Sequence, residues 1–156
     1  MESFFAALEA TAPAQYLRVS RWGYAAVSGA HILGIALLVG AILPLNLRLL
    51  GFWPSIPRAN LLRVLVPISA TGLALAVLTG SLLFSVRALD YAAVGYLQAK
   101  VVLVLVALLS ALMIHRAYGL TLDGASRDRL RFHALVSLGC WLGALACGRL
   151  IAFAID

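Results

Sequence analysis

Four long stretches of the chain are almost uninterrupted by charge: residues 22–45, 64–86, 91–115 and 132–155. Each is long enough to cross the roughly 30 Å hydrocarbon core of a bilayer as a helix. None shows the strict alternation of a half-buried strand. The connections between them are short and carry the turn formers, with Gly51, Pro54 and Pro57 in the first and Gly119 and Gly124 in the last. Pro44 is expected to end the first span, and Pro67 sits near the start of the second. Ahead of the first span, Phe4, Phe5 and Leu8 form one face of a short interfacial helix before Pro13. That segment lacks the basic start and the cleavage pattern of a signal peptide. The expectation is an all-α integral membrane protein, with 1–156 as one transmembrane domain and four helices in an up-down-up-down bundle.

Composition agrees with this. Of 156 residues, 63% are apolar and 12% charged, too few charges to cover a soluble surface of this size. Disorder is excluded by the same balance. The two cysteines, Cys140 and Cys147, are seven apart on one helix, about 10 Å, and cannot form a disulfide with each other. The net charge of +6 reads as an orientation signal and gives no support for a nucleic-acid partner. Arg48, Arg58, Arg63, Arg116, Arg127, Arg129 and Arg131 fall on one side, and Arg18, Arg21, Arg87 and Arg149 on the other. The positive-inside rule then places both odd-numbered loops in the cytoplasm and both termini outside it, in a bacterial-type inner membrane.

Titratable groups inside the spans are costly and mark candidate chemistry. His31 lies ten residues after Arg21, and Lys100, the only lysine, lies ten residues after Asp90. Ten helical residues span about 15 Å, so the two share a depth near the bilayer centre. His115 and His133 sit at the cytoplasmic boundary, where they can face each other across a turn, and Arg149 lies in the outer half. Each group has a plainer role open to it: Lys100 and Arg149 can snorkel, and His31 can bond a backbone carbonyl or Ser28. A neutral imidazole or amine between packed helices can hold haem iron, and arginine suits a propionate. His31 with Lys100 is the favoured ligand pair, with Arg48 or Arg149 as a propionate or structural partner. His115 and His133 are the weaker metal candidates. The small residues Gly72, Ala76 and Gly80, four apart, allow close approach of another helix. The stripe of Ser137, Cys140, Ala144 and Cys147 reads as a packing seam. Every Asp and Glu lies in a terminus or loop, so no triad can form around a mid-span histidine, and phosphate-cradling glycine motifs are absent.

The segment His31-Ile-Leu-Gly34 with Gly40, Pro44 and Arg48, and the segment Tyr96-Leu-Gln-Ala-Lys100 leading to His115, resemble the HemJ/CopD-like superfamily of small four-helix membrane proteins. The resemblance covers the first and third helices. It implies haem b bound between them, with the first-helix histidine and third-helix lysine as ligands, at His31 and Lys100. The fourth helix departs from the HemJ pattern: residues 131–137 have no counterpart of its Asn-Glu-x-Pro segment. The favoured function is therefore a haem b protein with a redox or electron-transfer role, which includes a haem-dependent oxidoreductase. It would work in the bilayer with an electron-transfer partner or as a homo-oligomer. Two alternatives stay open. One is copper handling or small-solute transport of the CopD type. The other is a non-catalytic membrane subunit.

Overall fold

A computed structural model describes residues 2–154. The described residues form seven helices: α1 (Glu2–Glu9), α2 (Ala12–Val19), α3 (Arg21–Leu50), α4 (Arg58–Val86), α5 (Ala88–Ala93), α6 (Gly95–Tyr118) and α7 (Arg127–Ala154). Four of them, α3, α4, α6 and α7, are long and apolar enough to cross a membrane. The protein is an all-α, multi-pass membrane bundle. The first and last described residues and the α4–α6 connection lie at one end, here the terminal end. The α3–α4 and α6–α7 loops lie at the other, the loop end. The last expected span residue, Ile155, falls outside the described residues.

The helices overrun the apolar windows, for local reasons. Pro44 does not end the first span; α3 continues through it to Leu50. A proline removes one N–H, and a chain in lipid keeps its remaining helical bonds because no water can replace them. The stop comes at Gly51, whose φ of 114° is left-handed. The Gly51 N–H reaches the Arg48 carbonyl and the Phe52 N–H reaches that of Leu47, both at 3.1 Å, which completes a Schellman cap. At the start of α4, Pro57 supplies a fixed φ and Leu62 is fully buried, so the helix begins six residues before the apolar run. α7 likewise begins at Arg127, because Leu130 packs into the core.

The third span is shorter than expected at one end. The chain breaks at Val94, which is extended, and this separates the short α5 from α6. The N-terminal region holds two helices where one was expected. Thr11 sits between them in an extended conformation, and Pro13 opens the second helix instead of following the first.

α3 packs along α4, α6 along α7, and α3 also lies against α7. The α3–α4 contact is the closest. A Cβ built at Gly72 would stand 2.5 Å from the Leu38 nitrogen and 2.8 Å from the Gly34 carbonyl oxygen, and one at Gly34 would stand 2.7 Å from the Ala76 nitrogen. The small-residue spacing on α4 thus meets Gly34 of α3, backbone against backbone. Leu38, Ala107, Cys140 and Trp141 form a central apolar layer. Leu45, Leu62, Ile114, Leu122 and Leu130 close the loop end. Leu122 is held there at a left-handed φ of 57°, and its carbonyl accepts from Arg58 Nη2 at 3.0 Å. Large apolar side chains such as Ile32, Leu78, Met113 and Phe132 cover the outer faces that meet lipid.

At the terminal end, Glu9 joins three elements. Its carboxylate accepts from the Leu89 N–H at 3.0 Å and pairs with Arg18 at 3.2 Å. Arg18 Nη2 in turn reaches the Val86 carbonyl at the end of α4, at 2.5 Å. Phe5 packs edge-on against Phe84 beside this group.

Two outcomes follow from this packing. Gly72→Ala should lower the melting temperature in detergent, by about 1–3 kcal/mol of stability, because backbone must move to admit the methyl. Gly29→Ala, where a Cβ meets nothing within 4 Å, should not. The second concerns pH. The Leu89 N–H and then Arg18 hold the Glu9 carboxyl below its ordinary value of 4.5. A depressed carboxyl stabilises fully above that ordinary value and ceases to as pH falls through the lower folded one. Amide exchange in α1 and α5 should therefore accelerate below about pH 4.5. Glu9→Gln should remove that dependence.

Candidate functional site

The polar groups inside the bundle form two clusters, separated by the apolar layer around Leu38 and Trp141. In the half nearer the chain termini, His31 of α3 faces α4. Its Nδ1 lies 3.0 Å from Thr79 Oγ1. The Thr79 hydroxyl has one hydrogen, which it donates to the Leu75 carbonyl at 2.6 Å, one turn back in α4. The hydroxyl therefore accepts from His31, and Nδ1 carries the proton. This leaves Nε2 as the nitrogen with the free lone pair. The Ala76 carbonyl also faces the ring. Gly80 gives the ring its place: a Cβ there would stand 2.9 Å from His31 Cε1. The imidazole is thus held against a helix backbone in one tautomer, as a ligand histidine is held by its outer-shell partner.

Lys100 of α6 enters the same half of the bundle. Its Nζ lies over Gly148 of α7, where a Cβ would stand 3.3 Å away, and near the Cys147 thiol. The amine makes no hydrogen bond to a described residue. The Lys100 amine on α6 stands within electrostatic reach of His31 on α3. Both are half-buried.

The other candidates stand elsewhere. Arg149 is next to Gly148 but exposed, with its guanidinium carbon 4.6 Å from the Phe153 ring centre. Arg48 lies seventeen residues beyond His31 on α3, about 25 Å away. It serves its own loop, donating to the carbonyls of Ile56 at 2.8 Å and Pro54 at 3.3 Å. His115 and His133 border one cavity of about 210 Å³ in the loop half. No hydrogen bond among the described residues joins them. His133 Nδ1 is 2.7 Å from Ser110 Oγ, and His115 Nδ1 is 3.2 Å from the Gly119 carbonyl. The same cavity holds Asn46, which donates to Ser137 Oγ at 2.9 Å. At this size it takes a few water molecules and falls below the roughly 300 Å³ of ordinary ligand pockets.

Thr79, Asn46 and Ser110 are the members that sequence reasoning missed, and Ser137 entered it only as part of a seam. Each is at most 9% exposed or bonded to one that is. The available signal was a polar side chain in an apolar span, which must find a partner. Its identity was hidden by distance along the chain: 48 residues separate His31 from Thr79 and 91 separate Asn46 from Ser137. No group of three or more His, Cys, Asp or Glu side chains suited to a metal ion forms among the described residues. Cys140 and Cys147 are both free and remain two turns apart on α7.

Thr79→Val should strand the His31 N–H in an apolar setting and cost about 1–3 kcal/mol. Thr79→Ser should retain most of the stability. Thermal melts in detergent, with nitrogen-15 imidazole shifts to report the tautomer, separate the two outcomes.

No protein-family model, curated protein or solved structure matches the chain.

Proposed function

We propose that this protein is a small haem b-binding membrane protein with a redox or electron-transfer role. His31 and Lys100 would hold the haem iron, in the half of the bundle nearer the chain termini. The observation that supports this most is the His31 ring, oriented by Thr79 and seated on Gly80, with Lys100 within electrostatic reach. The donor chemistry fits the cofactor: an imidazole with its proton on Nδ1 offers its lone pair through Nε2, and a deprotonated amine offers another. Bound haem would supply one-electron chemistry, tuned by those two ligands and by the dryness of the bundle. The chain's own part is orientation and exclusion of water. Thr79 fixes the tautomer, Gly148 leaves room for the Lys100 amine, and the layer of Leu38, Ala107, Cys140 and Trp141 separates this region from the loop-half cavity. Arg149 is the arginine in reach of the same half for a propionate; Arg48 has a structural role in its loop. Both termini lie outside the cytoplasm in this reading. The seven arginines Arg48, Arg58, Arg63, Arg116, Arg127, Arg129 and Arg131 then mark the cytoplasmic side of a bacterial-type inner membrane.

The CopD-type alternative has less behind it. Copper(I) favours sulfur, and the two cysteines do not converge.

The deciding experiment is an absorption spectrum of the protein purified after expression with ample haem. A Soret band is expected, lost in His31→Ala and shifted in Lys100→Ala. Absence of the band in the parent protein, or its persistence in His31→Ala, overturns the assignment. Copper by mass spectrometry with no Soret band would favour the alternative.

A further inference from the structure

A second site lies at the terminal end, apart from His31 and Lys100. There α2, the first turn of α3 and the α4–α5 junction line an open cleft of about 540 Å³. Three guanidinium groups border it, from Arg18, Arg21 and Arg87, together with the phenols of Tyr24 and Tyr91. Its floor is apolar, from the buried Leu17 and Val86. The size falls within the range of ligand pockets, and the lining combines several N–H donors with a hydrophobic base.

The charge balance favours an anion. Glu9 offsets Arg18, and Asp90 offsets Arg87 at 2.7 Å. Arg21 has no ionic or hydrogen-bond partner among the described residues. Arg18 makes both of its bonds, to Glu9 and to the Val86 carbonyl, through Nη2. Its Nε and Nη1 hydrogens have no partner among the described residues. Three arginines thus line the pocket, and the two carboxylates that offset them, Glu9 and Asp90, do not line it. Arg21 also begins α3, whose N-terminal N–H groups carry partial positive charge and whose cap is Ser20.

Depth identifies the source of the anion. Tyr16 and Trp22 stand exposed on the same segment, at 61% and 84%. Such aromatic residues sit at the headgroup level of a bilayer. A pocket at that level, charged at its rim and apolar at its floor, matches a phosphate group that carries acyl chains.

We infer that this pocket binds the phosphate of an anionic phospholipid headgroup, with Arg21 and the remaining donors of Arg18 as its principal contacts. The phosphodiester oxygens accept from the guanidinium N–H groups, as arginine forks accept phosphate generally. The start of the acyl chains lies over Leu17 and Val86. The site is ten residues, about 15 Å, from His31 along α3 and does not depend on haem.

The test is native mass spectrometry of the purified full chain in detergent with added phosphatidylglycerol, and separately with inorganic phosphate. One phosphatidylglycerol should be retained per chain. Arg21→Gln should weaken retention about tenfold or more, the loss expected for one charged hydrogen-bonding partner. Arg21→Lys should restore part of it. Arg21 is exposed and holds no element in place, so melting temperature without lipid should be unchanged in both variants. If inorganic phosphate alone raises the melting temperature in an Arg21-dependent way and lipid is not retained, the phosphate chemistry stands and the lipid source is overturned. If neither ligand's binding changes in Arg21→Gln, the site itself is overturned.

Discussion

Hydrocarbon offers no hydrogen bonds, so every polar group that enters it must be satisfied by the protein. This constraint governs the bundle from backbone to site. It keeps α3 helical through Pro44 and α4 helical through Pro67. It also sends hydroxyls back to their own helix: Thr71, Thr79 and Ser81 each donate to the carbonyl four residues earlier. A hydroxyl used in this way has no hydrogen left and can only accept. At Thr79 the consequence reaches another helix, since the group that can donate to it is the His31 ring. The orientation of the one mid-span histidine thus follows from a local rule about threonine in a helix.

The same constraint explains the distribution of polar groups. A single polar side chain in lipid is costly; two that bond across helices are tolerable and hold the helices in register. The described residues contain three such pairs, His31–Thr79, Asn46–Ser137 and Ser110–His133, which tie α3 to α4, α3 to α7 and α6 to α7. These are the helix pairs that pack. Lys100 is the exception. It has the largest charge-bearing side chain of the inward-facing set and no hydrogen-bond partner among the described residues. Its neighbours are a glycine and a thiol. An ionisable group without a hydrogen-bond partner inside a span is by default a candidate for function.

Much of the architecture was legible in the chain. The four spans follow from charge-free length. The close approach of α4 to a neighbour was visible in Gly72, Ala76 and Gly80, though the neighbour was not. Span limits were less legible because hydropathy marks the membrane, whereas a helix ends where its hydrogen bonds and caps end. Leu62 and Leu130 extend helices into polar surroundings by packing, and Gly51 stops one that Pro44 does not. The partners of polar residues were illegible for another reason. Which face meets which is decided by all four helices together, and nothing near His31 in sequence points to Thr79.

Arginines bonded to the protein's own carbonyls and arginines without such partners have different uses, and this separates structural from available charge. At the loop end, Arg48 and Arg58 are bonded to backbone carbonyls, where they close loops that would otherwise leave acceptors exposed at the edge of the lipid. At the terminal end, Arg18 spends one nitrogen on Glu9 and Val86 and keeps the rest, while Arg21 has no partner among the described residues. Charge that satisfies the protein's own carbonyls sets the fold and, through its number, the orientation. Charge left over beside an apolar floor is drawn to an anion at the headgroup level, because there the dielectric is lower than in bulk water and each unpaired donor is correspondingly more attractive to a phosphate oxygen.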